Sequence, residues 1–181
     1  TFFINDEIDK GDVLLKETTN IGETQTAGGL HDELMVKGSW LVLKTVKGII
    51  SGSLQPKSQP KLKDLMPAPK IFKNDCRINW NNDVTTIYNM IRGLSPFPGA
   101  WTLLKNPENK EVHLKVFASG KDTSPHKMEC GSLDTDGKTY LKARCSNGSV
   151  IFKEIQLEGK KKNSIDTFLR GANLNNGWTV G

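Results

Sequence analysis

Apolar and polar positions divide the chain into segments of different period, and each period predicts an element. Residues 1–4 form an apolar, β-prone run, and Val13-Leu14-Leu15 anchors a second at 12–18; the acidic, glycine-containing segment 6–11 between them reads as a turn, so a strand pair is expected. The chain opens inside an element and without a start methionine, as a truncated piece of a longer protein does. Leu30, Leu34, Leu41, Val42, Val46, Ile49 and Ile50 then recur at roughly helical spacing, which predicts a long helix capped by Thr24 or Thr26 and ended by Gly52. Pro56, Pro60, Pro67 and Pro69, set among lysines and polar residues, predict an extended linker and a domain boundary.

The periodic signal returns at Asp83, a cap ahead of Ile87, Met90 and Ile91 in a helix ending near Leu94. Ser95-Pro96-Phe97-Pro98 must stop that helix, because proline fixes its own φ and biases the residue before it away from the helical region. The result is a rigid corner that aims Phe97 and Trp101. Beyond it the pattern is β: strands are expected at 100–104, 112–118, 131–133, 139–143 and 150–157, with Asp136-Gly137 and Asn147-Gly148 as hairpin turns. Ser164 caps a short terminal helix with Ile165, Phe168 and Leu169 on its inner side. Five short strands and one preceding helix suit a small OB-like barrel.

Composition adds charge asymmetry. Residues 1–67 carry eight Lys and Arg against nine Asp and Glu, whereas 68–181 carry seventeen against eleven, a net +6. A basic excess of that kind attracts polyanions, which makes nucleic acid a candidate partner of the second part. No apolar run is long enough to span a bilayer and no signal peptide opens the chain, so a cytoplasmic location is expected. Cys76, Cys130 and Cys145 are odd in number and widely spaced, which fits reduced, mostly buried thiols better than a disulfide framework or a zinc site. His31, His113 and His126 have no paired metal-ligand spacing, so no metal is expected, and no phosphate-binding glycine motif is present.

Among the polar residues, Lys160, Lys161 and Lys162 follow Gly159 between a strand and a helix, where neighbouring ammonium groups can reach consecutive phosphates. Arg77 and Arg92 join them as nucleic-acid candidates, with ion pairing to Asp75 or Asp83 as the alternative for both, and Lys142 and Arg144 are weaker additions. Trp80 and Trp101 read as core anchors rather than stacking platforms, and Trp40 reads as a packing residue of the long helix. Spacing alone makes Asp9 an acidic turn residue like many others.

Four blocks change that reading. The corner Ile91-Arg92-Gly93-Leu94-Ser95-Pro96-Phe97-Pro98-Gly99-Ala100-Trp101, the segment 68–80, the pair 154–162 and 166–171, and the N-terminal stretch 1–12 resemble, in order, the methionyl-tRNA formyltransferase family. The resemblance implies an α/β fragment over 1–53, the end of a Rossmann-like catalytic domain, then a linker over 54–69 and an OB-fold-like tRNA-binding barrel over 70–181. It implies transfer of a formyl group from 10-formyltetrahydrofolate to the α-amino group of methionyl initiator tRNA. Ile8-Asp9-Lys10-Gly11-Asp12 matches the family's catalytic turn, so Asp9 is the implied catalytic aspartate, and Asn5, Asp6, Glu7 and Ile8 are implied folate contacts made mainly by backbone.

The histidine and asparagine that complete the family's site are expected upstream of Thr1, which implies a piece inactive alone. It is also expected to dimerise through 1–53, where strands and an apolar helix would lack neighbours, although the complete enzyme is expected to be a monomer. Two alternatives remain: a related folate-dependent formyltransferase acting on a sugar nucleotide, and a non-catalytic OB-like RNA-binding module.

Overall fold

The structure is a computed structural model that describes residues 1–60, 66–172, 174 and 177–181. Its contacts divide the chain into two compact units, one of Thr1–Gln25 with Gly29–Lys70 and the other of Thr26–Gly28 with Ile71–Gly181.

In the first unit the expected strand pair is shorter than its pattern implied. Phe2 and Val13 form one antiparallel bridge, and Val13 forms another with Lys57. The Phe3 amide donates to Asp12 O and the Leu14 amide to Thr1 O, so the register exists without a continuous ladder. Pairing at Lys57 also draws part of the proline-rich segment onto this edge; residues 61–65 of the expected linker lie outside the described residues. The long helix α1 spans Ala27–Ile50. It ends as its sequence predicts: Gly52 takes φ 68°, its amide donates to Ile49 O, and the Ser53 amide donates to Gly48 O. That hydrogen-bond pair is a Schellman closure, which requires a left-handed residue at Gly52. Only Thr45 and Gly48 of α1 are buried, and Trp40, expected to pack, is 61% exposed.

The second unit opens with a 3₁₀ turn, Lys73–Cys76, and helix α2, Val84–Leu94. Asp83 caps α2 by accepting from the Thr85 and Thr86 amides at 2.9 and 3.0 Å, which satisfies two of the helix's free donors. Val84, Ile87, Ile91 and Leu94 form its buried face. The strands are β1 Ala100–Lys105, β2 Glu111–Asp122, β3 Leu133–Thr135, β4 Leu141–Cys145, β5 Gly148–Leu157, β6 Asn163–Ser164 and β7 Thr179–Val180.

They form one antiparallel sheet in the order β3-β4-β5-β2-β1-β7, with β6 on β5. A bridge between Ser132 and Thr179 and a bond from the Val180 amide to Gly131 O bring the two edges together into a nearly closed barrel. Gly131 makes that closure possible: its φ is 86°, and a Cβ there would lie 2.3 Å from Val180 O. Register shifts beside Ala118 bend β2 and β5 around the barrel.

The core is Phe152 with Ile87, Ile91, Leu114, Leu141 and Ile155, and Trp80 meets Phe152 edge-on at 6.0 Å. Trp80 and Trp101 are both core residues, as expected. The turn expected at Asn147-Gly148 is displaced by one residue, because Cys145 pairs with Gly148 and leaves Ser146-Asn147 as the loop. Helix α3 is Ile165–Gly171 with Ser164 at its N-cap, but the Ser164 hydroxyl donates to Thr167 Oγ1 instead of accepting from the backbone. Cys76 and Cys145 are buried and Cys130 is exposed; burial pushes the thiols of Cys76 and Cys145 above the ordinary range.

Candidate active-site turn and nucleic-acid interface

In the first unit the turn that carries Asp9 is built by backbone and held from one side. Asn5 Oδ1 accepts from the Glu7 amide at 3.0 Å, and Lys10 pairs with Glu7. Asp9 sits in the left-handed region at φ 57°, a conformation that aspartate tolerates better than most residues. Gln59 Nε2 donates to both Asp9 O and Gly11 O, at 2.7 and 2.8 Å, and Ser58 Oγ donates to Asp12 Oδ1 at 3.0 Å. Gly11 allows the tight return, since a Cβ there would stand 1.5 Å from Phe3 O. Asn5, Asp6, Glu7 and Asp9 are exposed, and Ile8 is 90% exposed. The turn therefore presents a carboxylate and one apolar side chain from a loop whose Glu7 amide and Asp9 and Gly11 carbonyls are already bonded. Nothing local in the sequence announces the Gln59 clamp, because it reaches across about fifty residues of chain.

In the second unit the basic candidates divide by what they touch. Lys160 and Lys161 are exposed, and their carbonyls are tied by Gln156 Nε2 and Asn163 Nδ2 at 2.8 and 3.2 Å. Lys162 is different: its ammonium pairs with Glu154 at 3.0 Å and lies 5.5 Å from the centre of the Phe117 ring. Arg77 lies over Trp101 at 5.4 Å, with Lys73 Nζ at 5.8 Å from the same ring. On the alternative set out for it, Asp83 spends its carboxylate on the α2 cap and Asp75 on the Phe72 amide. Arg92 Nε donates to Asn89 Oδ1 at 2.9 Å. Lys142 and Arg144, the weaker additions, are held by Asp122 at 2.8 Å and Asp134 at 2.6 Å.

The outer face of β1 and β2 gathers further groups that the linear sequence keeps apart. Trp101 stacks on His113 at 4.7 Å and 21°, and Trp101 pairs in register with Lys115, whose Nζ donates to Pro98 O at 3.1 Å. Burial, with a smaller contribution from Lys73, pushes His113 below its ordinary value, so the imidazole is neutral at pH 7 and adds no charge to the face. Phe97 projects from the corner, 84% exposed. With Trp101 buried beneath them, Arg77, Lys73 and Lys115 offer cations suited to phosphates, and Phe97 is the exposed ring beside them. Lys73 and Lys115 are the functional candidates that sequence reasoning missed. Lys115 is recoverable from the two-residue period of β2, where it shares a face with His113; Lys73 has no local signal.

Comparison with known proteins sets this arrangement in context. Residues 70–173 match the family described as formyl transferase, C-terminal domain. The chain is 42% identical to methionyl-tRNA formyltransferase of Bacteroides thetaiotaomicron over 99% of its own length and 57% of the relative's. It is 42% identical to the Bacteroides fragilis enzyme of the same name over 96% of this chain and 55% of that one. It thus spans a little over half the length of these relatives. Among solved structures, HypX from Aquifex aeolicus in complex with tetrahydrofolic acid has a TM-score of 0.63 at 19% identity, covering 93% of this chain and 29% of that one. A multiply substituted variant of HypX reaches 0.65 at 19% identity, over 96% of this chain and 31% of that one. Likeness at that identity concerns the fold.

Proposed function

The chain belongs to the formyl transferase family defined by that C-terminal domain, and on this premise we propose that it is the larger part of a methionyl-tRNA formyltransferase acting in translation initiation. The observation that carries the reading is the 42% identity to curated enzymes of that name, which extends over 99% of this chain and so includes the Asp9 turn as well as the barrel.

In the proposed reaction the methionyl amine of initiator tRNA attacks the formyl carbon of 10-formyltetrahydrofolate. The new N–C bond forms, the bond to the folate nitrogen breaks, the amine loses a proton and the folate nitrogen gains one. Asp9 serves this chemistry as an exposed carboxylate that helps to move the amine proton, directly or through water, and that orients and charge-balances the family's histidine. Asn5, Asp6, Glu7 and Ile8 contact the folate mainly through backbone, and the exposed Ile8 side chain adds apolar surface for a flat pterin. In support of this role, Gln59 Nε2 donates to Asp9 O and Gly11 O and so ties down the backbone that carries the carboxylate.

The barrel binds the tRNA with Lys160, Lys161 and Arg77, assisted by Arg92, Lys115 and Lys162, as a salt-dependent phosphate grip. The organisation that goes with this reading is 1–53 as catalytic-domain end, 54–69 as linker and 70–181 as tRNA-binding domain, in a cytoplasmic enzyme. Among the described residues no helix is long and apolar enough to cross a membrane. Residues 1–53, with Leu34, Met35, Val42 and Val46 of α1 exposed, form the surface through which this chain self-associates, a property that sedimentation at rising concentration measures.

The deciding experiment joins residues 1–181 to the remaining part of the Bacteroides thetaiotaomicron relative and assays formylation of methionyl initiator tRNA. An active chimera whose Asp9→Ala variant loses at least a hundredfold in kcat supports the reading. An active chimera indifferent to Asp9→Ala removes Asp9 from the chemistry, and an inactive but folded chimera counts against the assigned reaction.

A further inference from the structure

We propose that the cleft between β5, the 158–163 turn and α3 seats an unpaired nucleotide of the bound RNA; the proposal rests on the reading of the barrel as an RNA-binding module. The cleft has a volume of about 460 Å³, in the range of small-ligand sites. Leu157 and Phe168, each partly buried against the core, give it an apolar wall wide enough for a base. Asn163 and Thr167 also line it; Asn163 Nδ2 is bonded to Lys161 O and Thr167 Oγ1 accepts from Ser164 and Arg170, so Asn163 Oδ1 and the Thr167 O–H are the groups that can read the edge of a base. Lys160 and Lys161 stand at the lip, and among the described residues no carboxylate ion-pairs with either.

The backbone beneath those two lysines is fixed. Gly159 takes φ 70°, the Lys160 amide donates to Leu157 O, and both lysine carbonyls are bonded by side chains. The third lysine of the run is turned to the neighbouring face, where Glu154 neutralises it over Phe117. Two unpaired cations at the mouth of an apolar cleft call for a ligand that is anionic at one end and flat and apolar at the other, with polar edges. A nucleotide has that distribution, and it must be unpaired, because a base in a duplex cannot leave its stack without cost.

A variant that fills the cleft without touching its charge tests this. Gly171 lines the cleft and a Cβ there meets nothing within 4 Å, so Gly171→Phe adds a ring at the cleft wall with no clash at its root. Binding of the full 181-residue chain is measured with a single-stranded RNA octamer carrying 2-aminopurine, and with the same strand annealed to its complement. The proposal expects 2-aminopurine fluorescence to change on binding the parent, and Gly171→Phe to weaken single-strand binding by about tenfold, the scale of losing one stacked base. Duplex affinity and the salt slope should stay unchanged, because no phosphate contact is removed.

Equal loss for both RNAs, or none for either, overturns the cleft. Single-strand binding that survives Gly171→Phe but is lost in Lys160→Ala/Lys161→Ala removes the cleft and leaves the RNA-binding reading intact. Absence of binding to either RNA at low salt removes both. If Gly171→Phe lowers the melting temperature, Thr167→Trp fills the same cleft from the exposed side of α3 and is held to the same outcomes.

Discussion

The three lysines after Gly159 look equivalent in sequence, and the structure predicts that they are not. Lys160 and Lys161 extend into solvent, whereas Lys162 pairs with Glu154 at 3.0 Å, so a phosphate reaching Lys162 must compete with a carboxylate already there. Each phosphate neutralised by a free cation contributes about 0.7 to 0.9 to the slope of log affinity against log salt, the lower value applying to single strands. Lys160→Ala/Lys161→Ala should therefore flatten the slope for initiator tRNA by about 1.4 to 1.8. Between 50 and 200 mM salt, the double variant should lose about 7- to 12-fold less affinity than the parent does. Lys162→Ala should change the slope by well under half of the single-lysine amount, and Glu154→Gln, which frees the Lys162 ammonium, should steepen it. Fluorescence anisotropy across a salt series, with thermal melts to confirm that each variant is folded, reads all of these values. A Lys162→Ala slope change as large as that of Lys160→Ala would refute the reasoning, because it would mean that the ion pair does not hold that charge back.

Three further outcomes follow from the same geometry. Trp80 Nε1 donates at 3.0 Å to Thr102 Oγ1, which is fully buried; Thr102→Val keeps the volume but orphans the indole N–H and should cost about 1–3 kcal/mol in urea unfolding, whereas Thr102→Ser should cost about 0.8 kcal/mol for one methyl. Thr102→Val no worse than Thr102→Ser would show that the bond does not matter. Gly11→Ala must displace the Phe3 carbonyl, and should lower formylation in the chimera at least tenfold while leaving tRNA affinity of the barrel within twofold; activity equal to the parent would contradict the crowding at that position. The Thr19 hydroxyl, then Lys37 and Gln25, hold Glu33 down to about 2 from its ordinary 4.5. A carboxyl with a lowered folded value stabilises above its ordinary range and loses that effect as pH falls toward the folded value, so the first unit should weaken between about pH 4.5 and 2. Thr19→Val should flatten that loss in acid titration followed by circular dichroism, and an identical acid limb would remove Glu33 from the account.

What was legible in the sequence is what short-range physics controls. Asp83 caps α2 because a carboxylate there reaches amides two and three residues on, and Gly52 ends α1 because only a left-handed residue closes its last carbonyls. The alternation of apolar and polar positions marks β4, where Leu141, Ala143 and Cys145 are buried, and Asp136-Gly137 marks the turn before it. Trp80 and Trp101 were placed in the core by their size and setting, and the blocks that resemble the formyltransferases were visible as linear strings.

Other features required the tertiary structure, because their partners lie far along the chain or compete for the same group. Strand β7 is two residues long and acquires its identity only by pairing with Leu104 and with Ser132 at the barrel seam. The N-terminal runs carried a β pattern, yet a pattern without a neighbouring ladder yields single bridges. Arg77 was open between an acid and a phosphate, and among the described residues no carboxylate ion-pairs with it; it lies over Trp101. Local sequence sets which conformations a segment prefers and which chemistry it carries. Which lysine keeps its charge for a ligand, and which clamp holds Asp9, depends on side chains brought together only by folding, and their linear distance leaves no trace in the sequence.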